Sequence, residues 1–541
     1  MRVAPFAVGL ALAARAFAVE PVTVVEATGY ARTSLYQEVV DFLYQVQKTS
    51  ETIAMATLAV SPEGRTVPLV ILSRERVRTP AELRATGKPA VLVMANIHAG
   101  EVEGKEACQI LIREVGSGRL ASLLDRQTIL LIPIFNADGN DKLGHNRDDK
   151  GPELAGVRHN GQSLDLNRDY TKLESPEVRG LVRLLSTWDP VLFIDMHTTN
   201  GSYHREPVTY TTCANANAPR ALTDYMWHKL FPAVARRLGE SGFDSVPYGA
   251  FVDGAHPEKG WVNEAIEARY GTNYVGLRNR LTILDENYSY ADFKTRVQAS
   301  LAFIRSVLEF TNTNAGELAA LVRRTDAETS ASYAGQPFAT EATLESQGDV
   351  TVKGYEFTTK PLTPEEKARS PWLGDVRVIP TDVGRDYTVP YLAVATPKRT
   401  LALPAGYVVL PGQDDVVSNL RAHGIVVEKL LERCRVAAER WVIEKVEPAK
   451  TVFQGHVLLS LPGHFEKGEA ELPPGSVYVD MRQPLARLVP ILLEPASADS
   501  LAAWGFLNRV IVRQWSNEPV PYPVLRLGAR PPVPLLSPTT E

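Results

Sequence analysis

Cysteine is nearly absent: Cys108, Cys213 and Cys434 are the only three in 541 residues. That excludes a disulfide framework and a cysteine-built zinc cluster. An excess of charge is missing too. The 58 Lys and Arg stand against 63 Asp and Glu, a formal net charge of −5, so no broad positive field gathers phosphate backbones and nucleic acid is not expected as a partner. There is no G-x-S-x-G nucleophile elbow and no Gly-rich phosphate loop, which removes the usual basis for a serine hydrolase or a nucleotide site. Past the N-terminus no apolar run approaches the ~20 residues that a bilayer-spanning helix needs, and no segment repeats. What is there is 44% hydrophobic and 22% charged, ordinary globular composition, and enough chain for two to four domains at roughly 100–200 residues each.

The chain opens on MRVAPFAVGLALAARAFAVEP, with basic Arg2, an apolar stretch from Val3 to Ala14 and a small-residue box at Ala16-Phe17-Ala18. This reads as a secretory signal peptide over residues 1–18. The apolar stretch is too short for an uncleaved anchor, and Pro5 and Arg15 interrupt it. Cleavage after Ala18 removes Arg2 and Arg15 and takes the formal charge from −5 to −7. The expectation is an exported protein, periplasmic or secreted, with no stable membrane insertion.

From 30 to 312, short β-branched runs alternate with helical patterns, as in an α/β domain with a largely parallel sheet. Four runs stand out: PAVLVMANIHAGE (89–101), TILLIPIFNADGND (128–141), PVLFIDMHTTNG (190–201) and RLTILDENYSY (280–290). Each is a buried-strand pattern ending in polar residues, and ligands of open α/β sheets sit beyond the carboxyl ends of the strands. Residues 325–375, rich in Thr, Ser, Gly and Pro with weak periodicity, look like linker or irregular β structure, and 313–375 is set apart as linker or irregular. Residues 376–541 carry short alternating runs broken by Pro-Gly turns and read as a β-rich C-terminal domain.

At the end of the first run, His98 and Glu101 can turn an imidazole and a carboxylate to one point. His197, ending the third run, is the natural third donor among ten histidines. Two His and one carboxylate are a usual zinc set in hydrolases, leaving a position open for water. An H-x-x-E pair alone is weak evidence. The fourth run ends in adjacent acids, Asp285 and Glu286, of which only one can face such a centre, because neighbouring strand residues point to opposite faces.

The series HAGE, P-I-F-N-A-D-G-N-D, R-H-N-G-Q-S-L-D-L-N-R-D (158–169), a strand-end His and a strand-end Glu resembles the zinc carboxypeptidase (metallocarboxypeptidase) family over about residues 30–312. The resemblance implies a mixed, mainly parallel sheet flanked by helices, one Zn2+ per chain, and hydrolysis of the C-terminal bond of peptides with a free carboxylate. It implies zinc ligation by His98, Glu101 and His197, and Asp165 as the partner that orients His98. Asn167 and Arg168 would bind the substrate's carboxylate, Arg168 in two-pronged fashion. Arg158 would stabilise the oxyanion, and Glu286 would be the general base. Relatives that remove acyl groups or trim cell-wall peptides are alternatives on the same fold, as is a non-catalytic binding protein. The turn here is Asn-Ala-Asp-Gly (136–139) where many members have Pro in second place. For the family's mobile tyrosine, Tyr270 and Tyr274 both come into question, and Tyr203 and His204 stand near enough to His197 to touch substrate.

Overall fold

The computed structural model describes residues 20–147, 150–369, 375–511 and 521–537; the signal-peptide segment 1–18 lies outside them. Ten strands occupy the first part of the chain. They are β1 (Ile53–Val60), β2 (Thr66–Leu72), β3 (Ala90–Ala95), β4 (Thr128–Ile132), β5 (Leu192–Thr199), β6 (Val208–Thr211), β7 (Ser245–Pro247), β8 (Ala250–Phe251), β9 (Trp261–Val262) and β10 (Leu281–Tyr288). Eight form one sheet in the order β1-β2-β4-β3-β5-β10-β6-β7. Its centre, β4-β3-β5-β10, is parallel, and antiparallel pairs flank it on both sides. The sheet is thus mixed and mainly parallel, as expected.

The central strands are apolar because both their faces are covered. Every residue of β3 and β4 is buried. Helix α1 (Glu103–Gly116) follows β3. Helix α2 (Pro176–Trp188) starts where Ser175 accepts from the Val178 amide and Pro176 fills the first helical position. The domain continues through α3 (Gly271–Leu277) and α4 (Phe293–Thr313).

The span 313–375, expected as linker or irregular β structure, holds regular elements among its described residues. Residues Ala315–Ser332 form a further helix, α5, and β11 (Pro337–Pro361) pairs with β12 (Val376–Ala402) in a long antiparallel ribbon. The α5 stripe is Ala315, Leu318, Leu321, Val322, Thr325 and Thr329; with Thr in two of its six places, its apolar period is faint. The ribbon is only partly buried: most of β11 and both ends of β12 are exposed on both faces, and the in-out alternation of a core strand is confined mainly to 387–395 of β12. Past the ribbon, the next strand begins at Gly406. Gly406–Val409 pairs with Val477–Asp480 and with Pro521–Leu527, inside a seven-stranded sheet. The ribbon reaches the α/β domain through both strands: Tyr391 and Leu392 of β12 pair with β9, and in β11 the Lys353 carbonyl accepts from the Arg205 amide while the Lys353 amide donates to Glu206. Among the described residues no helix is long and apolar enough to cross a membrane.

Candidate active site

The parallel register decides which residues meet. Glu286 on β10 lies opposite His197 on β5, and Leu284 opposite Asp195. Residues in register on neighbouring strands share a face, so Glu286 and His197 stand on one face and Asp285 on the other. Asp285 is buried against Asn287, and Asn287, the Asn of a formal glycosylation sequon, is itself buried and donates to Ser300. Beyond β3, a turn closed by the Glu101 amide donating to the His98 carbonyl (2.9 Å) brings those two side chains together. Gly100 is needed there, because a Cβ would come within 2.9 Å of the Gly156 carbonyl.

His98, Glu101 and His197 are buried, and their ligand atoms all lie within 4.8 Å of one another. His98 Nδ1 is 2.9 Å from Glu101 Oε1 and His197 Nδ1 is 3.0 Å from Oε2. The far ring nitrogens meet carboxylates: His98 Nε2 lies 3.1 Å from Asp165 Oδ1 and His197 Nε2 lies 3.1 Å from Asp195 Oδ2. With the proton on Nε2, each imidazole presents its Nδ1 lone pair to the shared centre, the tautomer a metal ion requires. The donor set, two Nδ1 atoms and one carboxylate, fits zinc.

Electrostatics agree with a cation-seeking centre. Burial works against charge on Glu101, but His98 and His197 outweigh it and hold the carboxyl well below its usual range. Burial likewise opposes charge on His197, while Asp195 and Glu101 raise it well above the ordinary imidazole value. Asp165 is held low by His98, Arg158 and Arg168 against its burial. Glu286 goes the other way: burial, helped by Glu101 and opposed by His197, pushes it up to about 8. Its Oε2 is buried and has no hydrogen-bond partner among the described residues.

These groups open into a cleft of about 570 Å3 whose lining includes Arg147, Arg158, Asn167, Arg168, Tyr248 and Tyr270. Arg158 Nε donates to Asp165 Oδ2 (2.8 Å), and its Nη1 is 3.6 Å from Glu101 Oε1. The Asn136 side chain caps the Asn-Ala-Asp-Gly turn through the Gly139 amide and donates to the Arg158 carbonyl. Asp138 binds Ser61 and Arg65 instead of its own backbone. Asp165 opens the short turn Leu166–Arg168 by accepting from the Asn167 amide. Asn167 Oδ1 takes the Gly271 amide (2.8 Å), and the Arg168 guanidinium stacks on Tyr270 at 4.3 Å.

Of the two tyrosines in question, Tyr270 lines the cleft, whereas Tyr274 is buried with its hydroxyl 2.7 Å from His423. His204 is buried and stacks on Tyr288, and Tyr203 packs on Tyr290; neither lines the cleft. Three groups escaped the sequence reading. Asp195 could have been found, since a residue two before a strand-end ligand shares its face. Arg147, which donates to Glu101 Oε1 (3.1 Å) and to the Thr198 carbonyl, comes from an irregular loop with no pattern to announce it. Tyr248, raised by burial and by the neighbouring Glu286, sits just before β8.

Residues 39–238 match the family model described as zinc carboxypeptidase. That span contains every residue assigned above except Glu286, Tyr248 and Tyr270. Carboxypeptidase 2 of Trichophyton rubrum is 23% identical over 489 residues, covering 86% of this chain and 81% of that protein. Human carboxypeptidase D is 29% identical over 130 residues, 20% of this chain and 9% of that protein. Among solved structures, carboxypeptidase A of Helicoverpa armigera superposes with a TM-score of 0.41 at 15% identity, over 53% of this chain and 75% of that one.

Proposed function

Starting from an α/β domain that belongs to the zinc carboxypeptidase family, and so from a metallocarboxypeptidase, we propose that this chain is exported and removes C-terminal residues from peptides that end in a free carboxylate. One observation carries the reading: three metal-type donors converge within 4.8 Å beside a carboxyl with an unpartnered oxygen, in a cleft that also holds Arg158 and Arg168.

His98, Glu101 and His197 would hold a zinc ion, which when bound would supply Lewis acidity to the scissile carbonyl and to water. The chain's own residues do the rest. Glu286, its pKa already lifted toward neutrality, takes the proton of the attacking water and returns it to the departing amine. Arg158 donates to the carbonyl oxygen as it gains charge; deleting one such donor typically costs about 3–4 kcal/mol of activation energy. Arg168 holds the terminal carboxylate, its plane set in advance by stacking on Tyr270. Asn167 adds its Nδ2, because Oδ1 is already committed to Gly271. Asp165 and Asp195 fix the tautomers of the two ligand imidazoles.

The test pairs peptides bearing free and amidated C-termini, each with and without a chelator. Release from free ends alone, abolished by chelation and restored by zinc, is the expected result. Equal cleavage of amidated peptides would overturn the exopeptidase assignment. Export rests on the leader pattern at residues 1–18, and N-terminal sequencing of the mature protein should begin at Val19.

A further inference from the structure

The C-terminal domain reaches into the candidate site at one point. Phe453 and His456 exchange backbone hydrogen bonds (2.8 and 3.0 Å) across a two-residue turn made by Gln454 and Gly455. Both turn residues have positive φ, 51° for Gln454 and 78° for Gly455. Such turns favour Asn-Gly, Asp-Gly or Gly-Gly, and a Gln in the left-handed region costs about 1–2 kcal/mol. The turn alone gives no reason for Gln. Its side chain does: Gln454 Oε1 accepts the backbone N–H of Asp165 at 2.8 Å, across 289 residues of sequence.

Asp165 is where the site's hydrogen bonds converge. Its Oδ1 meets His98 Nε2 and the Asn167 amide, and its Oδ2 accepts from Arg158. Three functions, orientation of a metal ligand, placement of the oxyanion donor and shaping of the carboxylate clamp, depend on where this one residue sits. The turn that fixes it is itself held firmly. His456 pairs with Glu174 at 2.7 Å, Phe453 stacks on Trp504 at 6.0 Å, and Lys172 lies over the Trp504 ring at 4.5 Å. On the other side of the clamp, Asp499 accepts the Arg269 amide at 3.0 Å. A chain of contacts therefore runs from Gln454 through Asp165, Asn167 and Gly271 to Arg269 and back to the C-terminal domain at Asp499.

We propose that Gln454 is a positioning residue of the carboxypeptidase site, supplied by the C-terminal domain, which sets His98, Arg158 and Asn167 through the backbone of Asp165. This rests on the function proposed above. The C-terminal domain is then part of the working centre.

Gln454→Gly separates positioning from stability, because it deletes the side chain while relieving the left-handed backbone. In the full-length protein the variant should melt at or above the wild-type temperature. Partners beyond the metal's direct ligands typically matter about 10–100-fold for affinity; one contact further out, zinc affinity measured by chelator competition should weaken about three- to tenfold. kcat on a free-ended peptide should fall by about tenfold, a loss expected of a displaced oxyanion donor and ligand, with a smaller change in KM. Zinc affinity and kcat both within twofold of wild type would overturn the proposal, as would losses that merely track a lowered melting temperature. A wild-type protein inert toward peptides would sink the hydrolase reading, and the zinc comparison would still decide the role of Gln454.

Discussion

Buried charge is handled differently in the two halves of the molecule. In the α/β domain it gathers beyond and beside the carboxyl ends of β3, β5 and β10, where Glu101, Glu103, Asp165, Asp195, His98, His197, Asp285 and Arg296 are all buried. In the C-terminal domain, the buried charged residues and histidines among those described are His423, Glu494, Asp499 and Arg526. Each of these is tied off: Glu494 by Tyr407 and Arg526, Asp499 by Arg269, and His423 by Tyr274 and Thr171. Burying a charge is costly unless it is paired. Among the described residues both halves keep buried carboxyl oxygens without a hydrogen-bond partner, Glu494 Oε2 in the second and Glu286 Oε2 among others in the first. Glu494 is held through its other oxygen by Tyr407 and Arg526, whereas Glu286 lines the cleft beside the His98, Glu101 and His197 cluster. The difference teaches that the place of an unpaired oxygen, rather than its existence, marks the candidate site.

The largest effect expected from breaking this contrast comes from Glu286→Gln. Losing a general base typically lowers turnover about 100- to 10,000-fold. Since the acid gains little from its surroundings, denaturant midpoints should not fall. A variant with near-normal kcat would transfer the base role elsewhere. Next is Asp195→Asn, which leaves the shape of β5 intact but removes the charge beside His197 Nε2. Zinc affinity, read by competition with a chromophoric chelator, should drop about 10- to 100-fold; an unchanged affinity would make Asp195 a bystander.

The smallest effect belongs to the seam between the halves. Burial first, then Arg278, brings His423 from 6.5 down to about 3, with the Thr171 carbonyl opposing. The folded state thus stays neutral where the unfolded chain takes up a proton. This contribution is complete above pH 6.5 and is lost at about 1.4 kcal/mol per pH unit as the pH falls toward 3. Unfolding free energies of wild type and His423→Gln at pH 7.5 and 5 should show the steeper decline in wild type; parallel declines would place the sensitivity elsewhere.

The α/β domain could be read in advance because its chemistry obeys local rules. Parallel strands buried on both faces appear as apolar runs, and the residues just past each run lie at the cleft. His98, Glu101 and His197 stand at such run ends, and so do the adjacent acids Asp285 and Glu286, of which the strand period allows only one to face the centre and the family resemblance picked Glu286. Asp195 obeyed the same period but was overlooked beside a more conspicuous histidine. Gln454 was beyond reach for another reason: nothing near residue 454 reflects a partner 289 positions earlier. Helix α5 and β11 show a third obstacle, elements whose burial is too partial to imprint a strong period.

The ribbon also separates freedom from constraint. Its two ends are joined at the base, where the Gly335 amide donates to the Leu403 carbonyl and the Leu403 amide to that of Gln336, so the chain leaves and re-enters the body at a single place. Insertions or deletions near its far end need not disturb either neighbour. The stretch at Tyr391–Leu392 is not free in that sense, because it pairs with β9, whose Val262 borders the cleft. The far end of the arm could be lengthened or trimmed at little risk, whereas a one-residue slip where β12 pairs with β9 would reshape the wall of the cleft.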